Sequence, residues 1–182
     1  MKHLLFTVLI VTNQIYTASE KLLETKETEK SIEDLQAEYQ TEKNLSFRKN
    51  GLSCFTNSKT INYSLMIEVC SHFVIAPSRL IKLNLSWNHL ENIDEDSFRY
   101  FSGLEELDLM TNHLTQVKAG ALTGLVKLKK LDLWNNELTK IDPSIFKDLT
   151  ALEELNIGYN SQLTQKNIQE IREALPRVKV LA

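Results

Sequence analysis

LIKLNLSWNHL (80–90), LEELDLMTNHL (104–114), LKKLDLWNNEL (128–138) and LEELNIGYNSQL (152–163) are four versions of one phrase, and their spacing decides the fold. Leu80, Leu104, Leu128 and Leu152 stand 24 residues apart. Each LxxLxL run alternates apolar and polar residues with period two, the pattern of a half-buried strand. A fixed period of this length marks a chain built from stacked units, in which each unit buries its apolar face only against its neighbours. Stacking makes Leu83, Leu107, Leu131 and Leu155 one column of a parallel sheet, with Leu85, Leu109, Leu133 and Ile157 beside it. Asn88, Asn112, Asn136 and Asn160 fall where the chain leaves the sheet. An amide that donates and accepts can satisfy turn groups buried there. Phe98, Leu122 and Phe146, and likewise Phe101, Leu125 and Leu149, recur on the returning arms and fill the outer half of the core.

These phrases resemble the extracellular "typical" leucine-rich repeats of receptor ectodomains and small secreted proteins. Short secreted repeat proteins of insects, including leucine-rich immune proteins, are similar in size and plan. The resemblance implies an α/β solenoid with its parallel sheet on the concave face, irregular or helical returning arms, and partners held on that concave face. Repeats are expected at 80–103, 104–127, 128–151 and 152–177, ending in a partial strand at Val178–Leu181. The fourth repeat carries one extra residue before Leu163. Ile168, Ile171 and Leu175 then take helical spacing before Pro176, so a helix is expected on its returning arm. The chain ends in a strand, so an edge is expected to need a cover.

Upstream, Met1-Lys2-His3 and LLFTVLIV (4–11) have the basic start and short apolar run of a secretory signal peptide, expected at 1–19. The run is too short to span a bilayer, and no second one follows. Residues 20–50 turn to Glu, Lys, Thr and Gln. Ile32, Leu35 and Tyr39 allow one short amphipathic helix, either a solvated leader or a partner helix. A cap is expected at 51–79, where MIEVCSHFVIAPSRLIKLNL (66–85) resembles a degenerate N-terminal cap of the family: a short strand, a cysteine, then Pro77 before the first repeat. The family commonly has four cap cysteines and this chain has two. In a secreted chain Cys54 and Cys70 are expected to form one disulfide. No CxxC spacing is present, and zinc binding by these cysteines is not expected.

The net charge of −3 and the lack of a basic cluster argue against nucleic acid as the partner. No nucleophile–base pair, phosphate loop or metalloenzyme motif occurs, so no enzyme, cofactor or metal is expected. Stacking places Lys82, Glu106, Lys130 and Glu154 in one exposed row, a candidate ladder of ion pairs across strands about 4.8 Å apart. Asn84, Asp108, Asp132 and Asn156 form the next row. Ser86, Met110, Trp134 and Gly158 form a third, beside Trp87, Thr111, Asn135 and Tyr159. Trp87, Trp134 and Tyr159 lie outside the leucine frame and either form a binding patch or pack on the sheet margin. Candidate partner-binding residues are therefore Trp87, Glu106, Asp108, Met110, Lys130, Asp132, Trp134 and Tyr159. His89, His113 and Glu137 share a column that reads as solvated turn residues, a zinc site or an endosomal pH sensor. Asn44, Asn62 and Asn84 begin N-x-S/T sequons, and a glycan on Asn84 would push a partner toward the later repeats.

Two functions follow. The first is a secreted recognition module for a protein or surface ligand, with the resemblance suggesting host defence or extracellular signalling. The alternative is a structural subunit that assembles through its leader helix and open edge. The oligomeric state stays open.

Overall fold

The computed structural model describes residues 44–46, 59–72 and 76–182. The expected signal peptide, nearly all of the expected leader and Cys54 lie outside these residues.

Six short strands make one parallel sheet. In sheet order they are β1 (Asn44–Ser46), β3 (Lys82–Asn84), β5 (Glu106–Asp108), β6 (Lys130–Asp132), β7 (Glu154–Asn156) and β8 (Lys179–Leu181). The register is the one the repeat dictates: Leu83 pairs with Leu107, Leu107 with Leu131 and Leu131 with Leu155. A one-residue slip would turn these leucines to solvent, so burial of the column enforces the pairing. From β7 to β8 the interval lengthens by one, Glu154 pairing with Lys179, as the extra residue in the fourth repeat requires. The chain is thus an α/β leucine-rich repeat solenoid with a parallel sheet.

The leucines of the strands and the recurring residues of the returning arms meet in one core. Leu83, Leu107, Leu131 and Leu155 are at most 1% exposed, and Phe98, Phe101, Leu122, Leu125, Phe146 and Leu149 close it from the other side. Phe98 and Phe101 meet edge to face with centroids 5.8 Å apart, a favoured aromatic geometry. The amides act as the spacing predicts. Asn136 accepts at Oδ1 from the Leu114 N–H (3.1 Å) and donates from Nδ2 to the Leu109 and Leu133 carbonyls (3.0 and 3.1 Å). Asn112 and Asn160 repeat this one unit away on either side. Each buried amide therefore joins two repeats.

Two departures from expectation lie at the N-terminal end. Met66–His72, within the segment expected to hold a short cap strand, belongs instead to helix α1 (Tyr63–His72). Leu65, Met66, Val69 and Cys70 are buried, the spacing of one helical face, and the Leu65 N–H donates to Asn62 Oδ1 (2.9 Å) to cap the helix start. Ile67 and Val69 favour a strand by propensity, but burial of this face overrides that preference. In addition, β1 falls within the stretch read as leader and pairs with β3, Leu45 opposite Leu83. A two-stranded parallel ribbon, β2 (Thr60–Ile61) with β4 (Asn92–Ile93), joins α1 to the first returning arm. The fully buried Ser97 hydroxyl reinforces it by donating to the Ile61 carbonyl (3.1 Å).

At the other end the expected helix forms as α2 (Gln165–Ala174), capped by Thr164, whose hydroxyl accepts from the Asn167 N–H (3.1 Å), and burying Ile168 and Ile171. Asn167 itself is buried and exchanges two hydrogen bonds with the Ile141 backbone (2.9 and 2.8 Å). It supplies from a helix the bonds that a further irregular arm would have made. A 3-10 turn at Pro143–Phe146 is capped by Asp142, which accepts from the Ser144 N–H (2.9 Å). That bond holds the Asp142 carboxyl below its ordinary range.

Candidate recognition surfaces

Alternation along the strands turns Lys82, Glu106, Lys130 and Glu154 away from the leucine core, onto the sheet's open face. Lys82 Nζ reaches Glu106 Oε1 at 3.0 Å, and Lys179 Nζ reaches Glu154 Oε2 at 3.3 Å. Lys130 joins neither pair, so of the expected ladder only Lys82–Glu106 forms, and Glu154 pairs instead with Lys179 outside it. Just before this row, Glu105 takes a hydrogen bond from Lys129 (2.8 Å), which lowers the carboxyl and raises the ammonium from their ordinary ranges.

The next row has a structural duty that sequence reasoning missed. Asn84, Asp108, Asp132 and Asn156 each accept at Oδ1 from the backbone N–H two residues on, those of Ser86, Met110, Trp134 and Gly158, at 2.8–3.2 Å. This is an Asx turn repeated four times. Asp132 also accepts at Oδ2 from Asn156 Nδ2 (3.1 Å), so both its oxygens are engaged. The signal was available: Asn or Asp in every copy, two residues before a turn. Lys82, Glu106, Asp108, Lys130 and Asp132 line a shallow open groove of about 370 Å³.

Where the strands end, the chain turns with a left-handed residue in every repeat. Trp87, Thr111, Asn135 and Tyr159 have φ of 61°, 53°, 53° and 56°. Asn tolerates this region, whereas bulky and β-branched residues are strained in it. The turn demands the conformation but not the aromatic rings. Trp87 and Tyr159 nevertheless stand there 43% and 75% exposed. Trp134 is half-buried and meets Tyr159 with centroids 4.7 Å apart. A Cβ on Gly158 would lie 3.1 Å from Trp134 Cδ1, so the glycine makes room for the indole. Trp134 therefore packs on the sheet margin while Tyr159 extends the same aromatic surface into solvent. Met110 is half-buried one repeat away.

The histidine column is assembled. His113 Nδ1 lies 2.7 Å from Glu137 Oε1, and His89 Nδ1 lies 3.1 Å from His113 Nε2. Among the described residues no group of three or more His, Cys, Asp and Glu side chains is arranged to hold a metal ion.

The sequon asparagines differ in setting. Asn44 begins β1, in register with Lys82. Asn62 is half-buried and caps α1. Asn84 is half-buried on the open face, with Oδ1 held by the Ser86 N–H and hydroxyl (2.9 and 2.7 Å). Cys54, the expected disulfide partner of Cys70, lies outside the described residues. Cys70 is a free thiol, 1% exposed within α1, and burial pushes it up to about 12. The helix face directed into the core commits Cys70 to apolar packing, where burial keeps its thiol neutral.

The model of the leucine rich repeat family matches residues 78–133 and 126–173, together just over half of the chain, and the chain belongs to that family. Among solved structures it is similar to a Leptospira interrogans leucine-rich repeat protein, with 29% identity and a TM-score of 0.52. That match covers 63% of this chain and 27% of the other. It is also similar to TLR13 in a complex with ssRNA13, with 25% identity and a TM-score of 0.51, over 67% of this chain and 16% of that one. This chain thus spans well under a third of either protein. No curated protein sequence matches it. Leucine-rich repeats are generally non-enzymatic binding scaffolds, and the fold is that of a protein-recognition module. Among the described residues no helix is long and apolar enough to cross a membrane.

Proposed function

We propose that the chain is a secreted module that recognises a protein partner through its concave face and the aromatic ridge beside it, in innate immunity or extracellular signalling. The Trp134–Tyr159 pair carries this reading. Tyr159 stands 75% exposed at a turn position that needs no ring, half-buried Trp134 packs beside it, and Tyr and Trp are enriched at the residues that dominate binding energy. Around them, Lys130 has no salt-bridge partner among the described residues, and Glu106 with Asp108 brings polar groups that fix orientation. A protein fits this surface better than a nucleic acid does, because the groove carries carboxylates in both exposed rows and the chain is acidic. Secretion rests on the basic start and short apolar run of residues 1–19.

The test is binding to a partner identified by crosslinking in extracellular fluid. The double variant Trp134→Ala, Tyr159→Ala is expected to weaken affinity about 30-fold or more, the scale of a lost hot spot. Unchanged affinity with an intact fold overturns the patch. Intact mass of the expressed protein, before and after reduction and deglycosylation, tests the rest. Loss of the first residues supports secretion, and a full-length chain retained in the cell overturns it.

A further inference from the structure

The column formed by Glu137, His113 and His89 has a defined proton order. An ionised carboxylate only accepts, so His113 carries its proton on Nδ1 and donates to Glu137 Oε1 across 2.7 Å. In the neutral ring this leaves Nε2 as an acceptor, and His89 must then donate to it from Nδ1 across 3.1 Å. The rings are nearly parallel, 13° apart, with centroids separated by 5.3 Å. That separation is what two five-membered rings give when they meet edge to edge in one plane across a 3.1 Å contact. The bond is therefore in line, rather than a pair of lone pairs converging on a shared ion. His89 Nε2 is left as a terminal acceptor with no protein partner among the described residues.

This column lines a cleft of about 410 Å³ together with Trp87, Thr111 and Asn135. The charged groups near it are Glu137 and, in the adjoining cavity, Lys59 and Glu91, which pair at 2.6 Å. Among the described residues this leaves one negative charge, that of Glu137, uncompensated. The cleft thus combines an exposed indole, a ring-nitrogen acceptor and a net negative charge. A guanidinium uses all three, by stacking on the ring, donating hydrogen bonds and pairing its charge.

We propose that this cleft binds an arginine side chain of a protein partner at neutral pH and releases it on acidification. A proton taken from water by His89 Nε2 turns the terminal acceptor into a donor. The same proton cancels the column's net charge, so attraction for a cation is lost. Acidification is the trigger because an imidazole gains a positive charge when its second nitrogen is protonated. The proposal rests on protein recognition as read above but shares only Trp87 with the aromatic surface, and its variants lie at Glu137 and His89, which that surface does not use.

The test is an NMR titration of the full chain with N-acetyl-arginine amide and, separately, N-acetyl-glutamate amide, at pH 7.4 and 5.5. The His89, His113 and Trp87 ring signals are followed. The arginine probe is expected to move these signals saturably at pH 7.4 and to bind at least about fivefold more weakly at pH 5.5. Glu137→Gln removes the charge and can donate to His113 Nδ1, reversing the proton order so that His89 faces the cleft as a donor. It is expected to abolish arginine binding at pH 7.4 with the melting temperature unchanged, since Glu137 is exposed. His89→Gln keeps an acceptor and removes the terminal imidazole, and is expected to bind the probe at pH 7.4 with a smaller loss at pH 5.5 than the wild type shows. Unmoved ring signals at pH 7.4, wild-type binding by Glu137→Gln, or tighter binding of the glutamate probe at pH 5.5 each overturn the proposal. The last of these outcomes would make the cleft an acid-gated anion site.

Discussion

Asn136 shows how far a single residue can be read from sequence. Its place in the phrase marks it as a turn amide, and its capacity to donate and accept predicts that it satisfies backbone groups. The groups it serves, at Leu109, Leu114 and Leu133, come from two repeats and are brought together only by stacking. Asn136→Ala leaves the Leu114 N–H buried without its acceptor, while the Leu109 and Leu133 carbonyls keep bonds from Asn112 and Asn160, and urea unfolding is expected to show a loss of roughly 2 kcal/mol. Asn88 is itself half-buried and donates to the Leu85 and Ser86 carbonyls, the first of which also accepts from Asn112. Asn88→Ala is expected to lose roughly 1 kcal/mol. Equal losses would mean that burial does not set the cost. Asp108 and Asp132 illustrate the converse. Sequence placed them on the exposed face as recognition residues, but their Oδ1 atoms also hold the turns that carry Met110 and Trp134.

Among the elements, α2 was legible and α1 was not, for reasons of signal strength. The α2 segment has Thr164 as a cap, helical spacing of Ile168 and Ile171, and Pro176 as a stop. Its polar face contains no β-branched residue. Thr164→Ala is expected to cost about 1 kcal/mol, measured by urea unfolding, because the Asn167 N–H loses its acceptor. A loss below a few tenths would mean that Asn167, through its bonds to Ile141, fixes the helix start by itself. In α1 the apolar positions include Met66, Ile67, Val69 and Cys70 in near succession, which reads as a strand as easily as a helix. Only the surface below it, Ile61 and the first returning arm, selects the helical face.

For the molecule as a whole, stability is distributed along the stack. Each repeat contacts its neighbours, so a defect matters most where it has two of them. Leu131 lies in β6 with paired strands on both sides, and Leu131→Ala is expected to cost about 3 kcal/mol. Val180 occupies the equivalent place in β8, half-buried, with β7 on one side. Val180→Ala is expected to cost about 1 kcal/mol. Both should unfold in one transition by circular dichroism. Separate transitions would mean that the repeats are not coupled into one cooperative unit.

The sequence by itself determined the repeat length, the parallel sheet, its register, the leucine columns and the amide ladder. All of these follow from a periodic pattern, and a pattern repeated four times leaves a single way to bury its apolar face. The tertiary structure alone decided the rest. It made the cap a helix with a free buried cysteine and left Lys130 out of its ladder. It also laid Trp134 over Gly158 and joined Glu137, His113 and His89 into one hydrogen-bonded line. Those outcomes depend on rotamers and on contacts between residues one repeat apart, where periodicity puts neighbours in the same column but does not say which of their atoms meet.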